Sequence, residues 1–255
     1  MELLGRPWMT GHTYKSTGYD PNLKAMVFAA HEHTFTFDAV AGRWSRFREK
    51  SPFRADFYST TVCATPDGAV AWGRTLSGNV GLWRLHADTK SWKPLTLEKG
   101  ATLPDMSADH HGLAFDSKRS RLLFFSDIGK QKGNVAAYDL KVGTTKWLDP
   151  ASMEQALVHC RETAYLPEWD VVLIGARTKD ASGNWRWVAF DCAANGWVSL
   201  ALPGDDPIGK RPMSFNNSMG LMYDPGRKLV WAVGQHSEVY VFNPDRAKAD
   251  IKPLR

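Results

Sequence analysis

The amino-acid sequence predicts an all-β fold made of about five four-stranded antiparallel sheets. The clearest evidence is residues 219–243, MGLMYDPGRKLVWAVGQHSEVYVFN, where two apolar runs flank a Tyr-Asp-Pro turn and a third run alternates strictly. Period-two alternation is typical of half-buried strands and Asp-Pro is typical of tight turns, so this stretch is predicted to be a three-stranded meander. The same unit returns along the rest of the chain.

Five copies of this unit align on the turn that follows the first strand. They read GYDPNLKAMVFAA from Gly18, CATPDGAVAWG from Cys63, LAFDSKRSRLLFFSD from Leu113, AYLPEWDVVLIGA from Ala164 and LMYDPGRKLVWAVG from Leu221. Counted between the equivalent residues Asp20, Thr65, Asp116, Leu166 and Asp224, the steps are 45, 51, 50 and 58 residues. A nearly constant interval of this size indicates one repeated structural unit.

Each copy continues with a third strand that ends in an aromatic or apolar residue, and a fourth strand follows it. The third strands end at Phe37-Asp38, Leu85-His86, Tyr138-Asp139, Phe190-Asp191 and Phe242-Asn243. The fourth strands open with Trp44, Trp92, Trp147 and Trp197, with Ile251 in the fifth place. We expect these Trp side chains to be buried between neighbouring sheets, and we expect residues 250–254 to form the outer strand of the fifth sheet.

A repeat near fifty residues with four strands and a late Trp resembles the kelch repeat of β-propellers, the family that includes the central domain of galactose oxidase. The second strands end in Ala29-Ala30, Trp72-Gly73, Ser126-Asp127, Gly175-Ala176 and Val233-Gly234, where kelch repeats usually carry a Gly pair, so the resemblance is to a divergent kelch-like propeller. It implies one domain over 1–255, with blades at about 12–50, 58–98, 109–150, 160–201 and 216–255. It also implies a binding role, because kelch-like propellers are more often binding modules than enzymes.

Segments outside the repeat give three further expectations. Residues 6–9 (RPWM) resemble residues 211–214 (RPMS), which follow a fourth strand, so residues 2–4 resemble the end of such a strand. This N-terminal strand either closes a five-bladed ring, which we favour, or belongs to a longer protein. Residues 152–159 have a short helical pattern with Ser152 as a plausible N-cap.

Composition argues against several classes of function. The net charge is +5, yet no run of five like charges exists, so nucleic-acid binding is not favoured. No eighteen-residue apolar run occurs, so no transmembrane helix is predicted, and the N-terminus lacks the apolar segment of a signal peptide. Three distant cysteines without a CxxC pair argue against a zinc knuckle or a disulfide framework. No cofactor motif is present, so no cofactor is predicted.

The histidines are concentrated on one side of the predicted blades. In such a blade the first-to-second and third-to-fourth turns share one rim, and the linkers between blades and the second-to-third turns share the other, here called the linker rim. Seven of the eight histidines fall on the linker rim: His12, His31, His33, His110, His111, His159 and His236. Arg74, Glu162 and Arg177 fall there as well. This clustering makes the linker rim the candidate ligand site.

The residues that directly precede the first strand of each blade are the best placed, because that strand lies nearest the propeller axis. The predicted ligand-binding residues are Tyr58, His110, His111, His159, Arg161 and Asn217. They come from four blades and are expected to converge on one polar depression, with a water-filled channel as the alternative. His159 and Arg161 can share one side of an extended segment, whereas His110 and His111 cannot. The pair His31 and His33 brackets a tight turn, so no metal site is predicted.

Two classes of function remain open. The first is a binding module for a glycan or a protein. The second is a carbohydrate-active enzyme, similar to a lyase or hydrolase, in which His or Tyr acts as the base and Arg neutralises a substrate carboxylate. The copper oxidase chemistry of galactose oxidase is disfavoured, because Cys63 and Cys160 lie in no motif that matches its cysteine–tyrosine crosslink.

Overall fold

The computed structural model describes residues 15–30, 32–53, 60–105, 111–126, 135–148, 162–201, 220–233 and 238–254. Within these ranges the chain forms twenty β-strands and no helix, which confirms the all-β prediction. The predicted helix at 152–159 and the predicted strand at 2–4 lie outside the described residues. In the part of the chain that was searched, no helix is long and apolar enough to cross a membrane.

The chain divides into two compact units, one formed by residues 1–109 and 138–145 and the other by residues 110–137 and 146–255. The first unit holds two four-stranded antiparallel sheets with the strands in sequence order. Sheet one contains β1 (Thr17–Asp20), β2 (Ala25–Ala30), β3 (His33–Asp38) and β4 (Arg43–Arg46). Sheet two contains β5 (Thr60–Thr65), β6 (Gly68–Arg74), β7 (Val80–His86) and β8 (Ser91–Pro94).

Three more antiparallel sheets follow along the chain. Sheet three contains β9 (His111–Asp116), β10 (Arg121–Ser126), β11 (Val135–Asp139) and β12 (Thr145–Trp147). Sheet four contains β13 (Thr163–Leu166), β14 (Val171–Lys179), β15 (Trp185–Asp191), β16 (Gly196–Ala201) and the last strand of the chain, β20 (Asp250–Pro253). Sheet five contains β17 (Gly220–Asp224), β18 (Leu229–Val233) and β19 (Val239–Phe242). These five small sheets are the blades of a β-propeller.

Aspartates that recur in the sequence shape the tight turns. One carboxylate oxygen accepts hydrogen bonds from the backbone N–H groups two and three residues further on, at N···O distances of 2.8–3.2 Å. Among the described residues, the aspartates that do this include Asp20, Asp38, Asp139, Asp191 and Asp224. Several of these turns close with a left-handed residue, such as Lys24 at φ 52° and Lys228 at φ 56°. The repeated aspartate is therefore a turn-forming residue.

Aromatic side chains fill the space between sheets within each unit. In the first unit Phe53 packs edge-on against Trp83 and Trp92, and the Trp92 Nε1–H donates to Thr34 Oγ1 at 2.8 Å. In the second unit Trp197 is only 3% exposed, as the repeat predicts. The prediction for Trp147 is wrong, because its side chain is 38% exposed. It ends β12, a three-residue outer strand in which no residue is buried.

The predicted outer strand of sheet five belongs to another sheet. β20 pairs antiparallel with β16, from Ala201 opposite Asp250 to Val198 opposite Pro253. The reason is Arg186, which is 3% exposed and donates from Nη1 to Asp250 Oδ2 at 2.9 Å and from Nη2 to the Asp250 carbonyl at 2.7 Å. A buried guanidinium with these charge-assisted bonds holds the strand against sheet four.

We expect Arg186→Ala to loosen β20 selectively, because the substitution removes two hydrogen bonds that hold Asp250 in place. Hydrogen exchange of the backbone amides of residues 250–252 and 254 should become about tenfold faster or more, since hydrogen bonds to a charged group are stronger than neutral ones. Lys252→Ala is the matched control, because its ammonium reaches the same carboxylate from an exposed position. Equal exchange in the wild type and Arg186→Ala would contradict the role assigned to Arg186.

Candidate functional site

One of the six predicted ligand-binding residues lies in the described part of the chain. His111 begins β9, pairs with Ser126 of β10 and is 4% exposed. The other five, Tyr58, His110, His159, Arg161 and Asn217, lie outside the described residues. Convergence of the six therefore stays a prediction.

The first strands of neighbouring sheets lie side by side within each unit. In the first unit β1 contacts β5, and Gly18 approaches Val62 so closely that an added Cβ would lie 2.7 Å from Val62 Cγ1. In the second unit β13 contacts both β9 and β17, and Thr163 Oγ1 donates to the Leu113 carbonyl at 2.8 Å. Within each unit the first strands of successive sheets are therefore neighbours.

The linker-side end of sheet four carries a long hairpin formed by β14 and β15. The Gly175 N–H donates to the Glu162 carbonyl at 2.7 Å, which joins the hairpin to the chain entering β13. Between Leu173 and Arg177 the register shifts, and beyond it Arg177 pairs with Trp187 and Lys179 with Trp185. Residues two apart in a strand share a face. Arg177, Lys179, Trp185 and Trp187 therefore form one surface, here called the basic–aromatic face.

Cations and indole rings are in contact on the basic–aromatic face. The Arg177 Cζ lies 5.8 Å from the Trp185 ring centroid and 5.6 Å from that of Trp187, and the Lys179 Nζ lies 4.9 Å from the Trp185 ring. Trp187 is 2% exposed and packs against Phe242 at 5.9 Å between centroids, whereas Trp185 is half-buried and Lys179 is exposed. These distances are those of cation–π pairs. The two cations and two indole rings therefore form one packed cluster near the end of the hairpin.

The turn of this hairpin is fixed by Asp180. Its Oδ1 accepts hydrogen bonds from the Asn184 N–H at 2.9 Å and the Ser182 N–H at 3.0 Å. These backbone hydrogen bonds, that from Asn184 foremost, hold the pKa of Asp180 below its usual value. The carboxylate is thus ionised at neutral pH and engaged within its own turn.

On the opposite rim, two aspartates and two arginines join sheets three and four; we call this group the Asp116–Asp170 network. Arg119 donates to both Asp170 oxygens, from Nη1 at 2.9 Å and from Nη2 at 2.7 Å, and Nη1 also donates to Asp116 at 3.0 Å. Arg121 Nε donates to Asp116 at 2.8 Å. The Tyr165 hydroxyl donates to Asp170 at 3.1 Å. The hydrogen bond from Arg119 is the main reason that the pKa of Asp170 is lowered.

The two carboxylates of this network and the neighbouring Cys192 thiol have the spacing of metal ligands. Ligand atoms of Asp116, Asp170 and Cys192 lie within 4.8 Å of one another. The two carboxylates already accept hydrogen bonds from Arg119 and Arg121. Burial raises the pKa of the Cys192 thiol, and the negative charge of Asp116 raises it further. The thiol is therefore protonated at neutral pH. A cation would have to displace two guanidinium groups, and the arrangement does not fit a metal centre.

The sequence-based prediction included Arg177 on the linker rim but missed its partners. The signal was present in KDASGNWRW, where Trp185 and Trp187 alternate with a basic residue after a Gly-Asn turn. Read with period two, this run places both indoles on one face of a strand. Arg177 and Lys179 show the same spacing on the preceding strand.

Comparisons with known proteins bear on the fold. No family model and no curated protein matches this sequence. Among solved structures, TolB from Acinetobacter baumannii is 13% identical with a TM-score of 0.47. The match covers 93% of this chain and 55% of the TolB chain. Putative TolB from Agrobacterium tumefaciens is 13% identical with a TM-score of 0.53, covering 94% of this chain and 80% of that one. A chain of the Mitotic Checkpoint Complex is 11% identical with a TM-score of 0.49, covering 99% of this chain and 84% of that one.

The likeness to the Agrobacterium tumefaciens protein concerns the fold alone, because so low an identity does not carry function. It agrees with the five small antiparallel sheets described above. A kelch or galactose oxidase identity gains no support from these comparisons and stays an interpretation of the repeat. The chain is an all-β, five-bladed β-propeller.

Proposed function

We propose that this chain is a propeller binding module that recognises a glycan or a protein on its linker rim. The contrast between the two rims carries the proposal. On the rim opposite the linker rim, the carboxylates of Asp20, Asp38 and Asp224 accept hydrogen bonds within their own turns. Asp116 and Asp170 bind arginines there. The linker-side end of sheet four instead presents a half-buried indole in contact with two cations.

Within this proposal, Tyr58, His110, His111, His159, Arg161 and Asn217 form the central part of the site. Two observations support it. First strands lie side by side within each unit, and Thr163, two residues after Arg161, bonds directly to β9. Side chains of unlike hydrogen-bonding type in one depression are typical of ligand sites. The carbohydrate-active enzyme is the alternative, in which the same residues would act on the bound glycan.

The test is binding to an immobilised library of neutral and acidic glycans, in parallel with a library of immobilised peptides. We expect the double variant His159→Ala/Arg161→Ala to lose binding while its melting temperature stays within about 2 °C of the wild type, because surface substitutions have small effects on stability. Arg227→Ala/Lys248→Ala is the matched control, since both side chains are more than 70% exposed. Normal binding by the first variant would place the site elsewhere, and shortening of a bound glycan would favour the enzyme.

A further inference from the structure

We propose that the outer edge of β19 is a docking site for an extended segment of a partner polypeptide, which adds to sheet five as its fourth strand. We call this edge the open edge; it is the side of residues 239–242 that faces away from β18. The proposal concerns the outside of a blade and not the linker rim, so it stands independently of the proposed function.

Sheet five has fewer strands than the other sheets. Sheets one, two and three have four strands each and sheet four has five, whereas sheet five ends at β19. The next strand in sequence, β20, pairs with β16 of sheet four. Among the described residues, no strand pairs with the open edge. The backbone N–H and C=O groups along such an edge form a template for a further strand.

The sequence of β19 is that of an inner strand. Outermost strands usually carry charged residues or proline, which discourage pairing with another chain. The outermost strands of the other four sheets all do so, with Arg43 and Arg46 in β4, Lys93 and Pro94 in β8, Lys146 in β12, and Asp250, Lys252 and Pro253 in β20. β19 reads Val-Tyr-Val-Phe and has neither a charge nor a proline. The open edge therefore lacks the protection that the other edges have.

The pairing of third and fourth strands in the other sheets indicates one side chain that the partner needs. In sheets one, two and four the last apolar residue of the third strand lies opposite a Trp, and these pairs are Phe37 with Trp44, Leu85 with Trp92 and Phe190 with Trp197. Phe242 holds the same position in β19. Cross-strand pairs of this kind stabilise a sheet, so we expect a large apolar residue of the partner opposite Phe242.

The side chains beside the open edge on the other face of sheet five are apolar and exposed. Val239 is 56% and Val241 is 42% exposed, and Val241 lies in one row across the sheet with Trp231 and Met222. A partner residue opposite Val241 would extend this row. We therefore expect that residue to be apolar as well.

The size of sheet five favours a single strand over a folded partner. Three strands about 4.8 Å apart and five residues long present a face of about 15 Å by 15 Å. A stable interface between folded proteins buries about 800 Å² on each side, which is more than this face provides. An added strand needs less area, because its backbone hydrogen bonds supply much of the affinity.

The N-terminal segment is the other source of a strand that the sequence suggests. When RPWM at 6–9 is aligned with RPMS at 211–214, residues 2–4 correspond to residues 207–209. Residues 207–209 come after β16 has ended at Ala201. By this correspondence, residues 2–4 match the linker that follows a fourth strand and not the strand itself. We therefore assign the open edge to a partner polypeptide.

The probe is a fluorescein-labelled peptide with the sequence of residues 194–202, ANGWVSLAL, which contains β16. Its Trp would lie opposite Phe242, as Trp197 lies opposite Phe190 in sheet four, and the following Val would lie opposite Val241. Fluorescence anisotropy measures binding to the full chain, and we expect saturable binding. A peptide with Pro-Pro in place of Val-Ser should bind at least about tenfold more weakly, equivalent to about 1.4 kcal/mol, because proline cannot join the ladder.

Val241→Lys tests the edge from the side of the protein, because it gives β19 the kind of residue that protects other outermost strands. We expect it to weaken peptide binding about tenfold or more, while the melting temperature stays within about 2 °C of the wild type. Met222→Lys is the matched control, since Met222 is 58% exposed on the same face but lies in β17, two strands from the open edge. It should bind the peptide as the wild type does. Val239→Lys is a second edge variant, for use if Val241→Lys is unstable.

Several results would overturn the proposal. They are no peptide binding, equal binding of the proline peptide, and normal binding by Val241→Lys. Peptide binding only after removal of residues 1–9 would mean that this chain itself fills the edge. A dimer that Val241→Lys dissociates would mean that a second copy fills it. The variant His159→Ala/Arg161→Ala should bind the peptide normally, and loss of binding in that variant would place the peptide on the linker rim instead.

Discussion

Trp197→Ala is expected to lower the free energy of unfolding by about 3–5 kcal/mol, the usual cost of deleting a buried aromatic side chain. The indole lies between sheets three and four, 5.4 Å from the Phe190 ring and 5.8 Å from the Phe125 ring. Both phenylalanines are themselves fully buried. Urea denaturation followed by circular dichroism measures the loss, and the melting temperature should fall by about 10 °C.

Trp147→Ala is the matched control for this prediction, since Trp147 holds the equivalent place in the preceding repeat but is exposed. Its replacement should change stability by about 0.5 kcal/mol or less, as for most surface substitutions. Trp197→Phe, which leaves a smaller cavity, should fall between the two. Equal losses in Trp147→Ala and Trp197→Ala would mean that Trp147 is buried by an element that these contacts do not include.

The fold could be predicted because its signals are local. An aspartate at a tight turn, such as Asp20 or Asp224, accepts hydrogen bonds from backbone N–H groups two and three residues further on. Each turn can therefore be predicted from the few residues that form it. Period-two alternation then fixes the neighbouring strands. Neither signal requires knowledge of any contact between distant parts of the chain. That independence is why the all-β prediction and the number of sheets are confirmed.

The errors arose where distant residues decide the outcome. β20 follows sheet five in sequence, yet it pairs with sheet four, where Arg186, 64 residues before Asp250, donates a hydrogen bond to the Asp250 carboxylate. Trp147 satisfies the repeat as well as Trp197 does, but burial depends on what lies against the sheet. An alignment of repeats predicts the same packing for every copy. The packing of the outermost strands, however, differs from sheet to sheet.

The candidate site was predicted in part. Sorting residues by rim placed Arg177 on the linker rim, and Arg177 lies in β14 two residues after Gly175, whose N–H donates to the Glu162 carbonyl. Its contacts with Trp185 and Trp187 depend on the register shift between Leu173 and Arg177, which no local pattern in the sequence encodes. A β-bulge of this kind changes which residues face one another. Pairing across the hairpin therefore had to come from the structure.

Asp116→Ala is expected to lower the free energy of unfolding by about 3 kcal/mol, because it leaves the Arg121 guanidinium, which is only 12% exposed, without its carboxylate partner. Asp116 is 0% exposed and accepts hydrogen bonds from Arg119 and Arg121. Asp224→Ala is the matched control, because Asp224 occupies the same position of the repeat but binds Arg227 at an exposed site. This substitution should cost much less, because solvent screens the exposed ion pair. Urea denaturation of the two variants gives the comparison.

Asp170→Asn tests the same network through pH. Because Arg119 lowers the pKa of Asp170 in the folded protein, the ionised carboxylate contributes stability that is fully present above its unfolded pKa of about 3.9. That contribution is lost as the pH falls through the lower, folded value. The wild type should therefore lose its advantage over Asp170→Asn between about pH 4 and the acid transition, whereas the difference should be constant from pH 6 to 8. A stability difference that stays constant down to the acid transition would show that the carboxylate charge of Asp170 does not stabilise the fold, and that Arg119 is held by hydrogen bonding and packing alone.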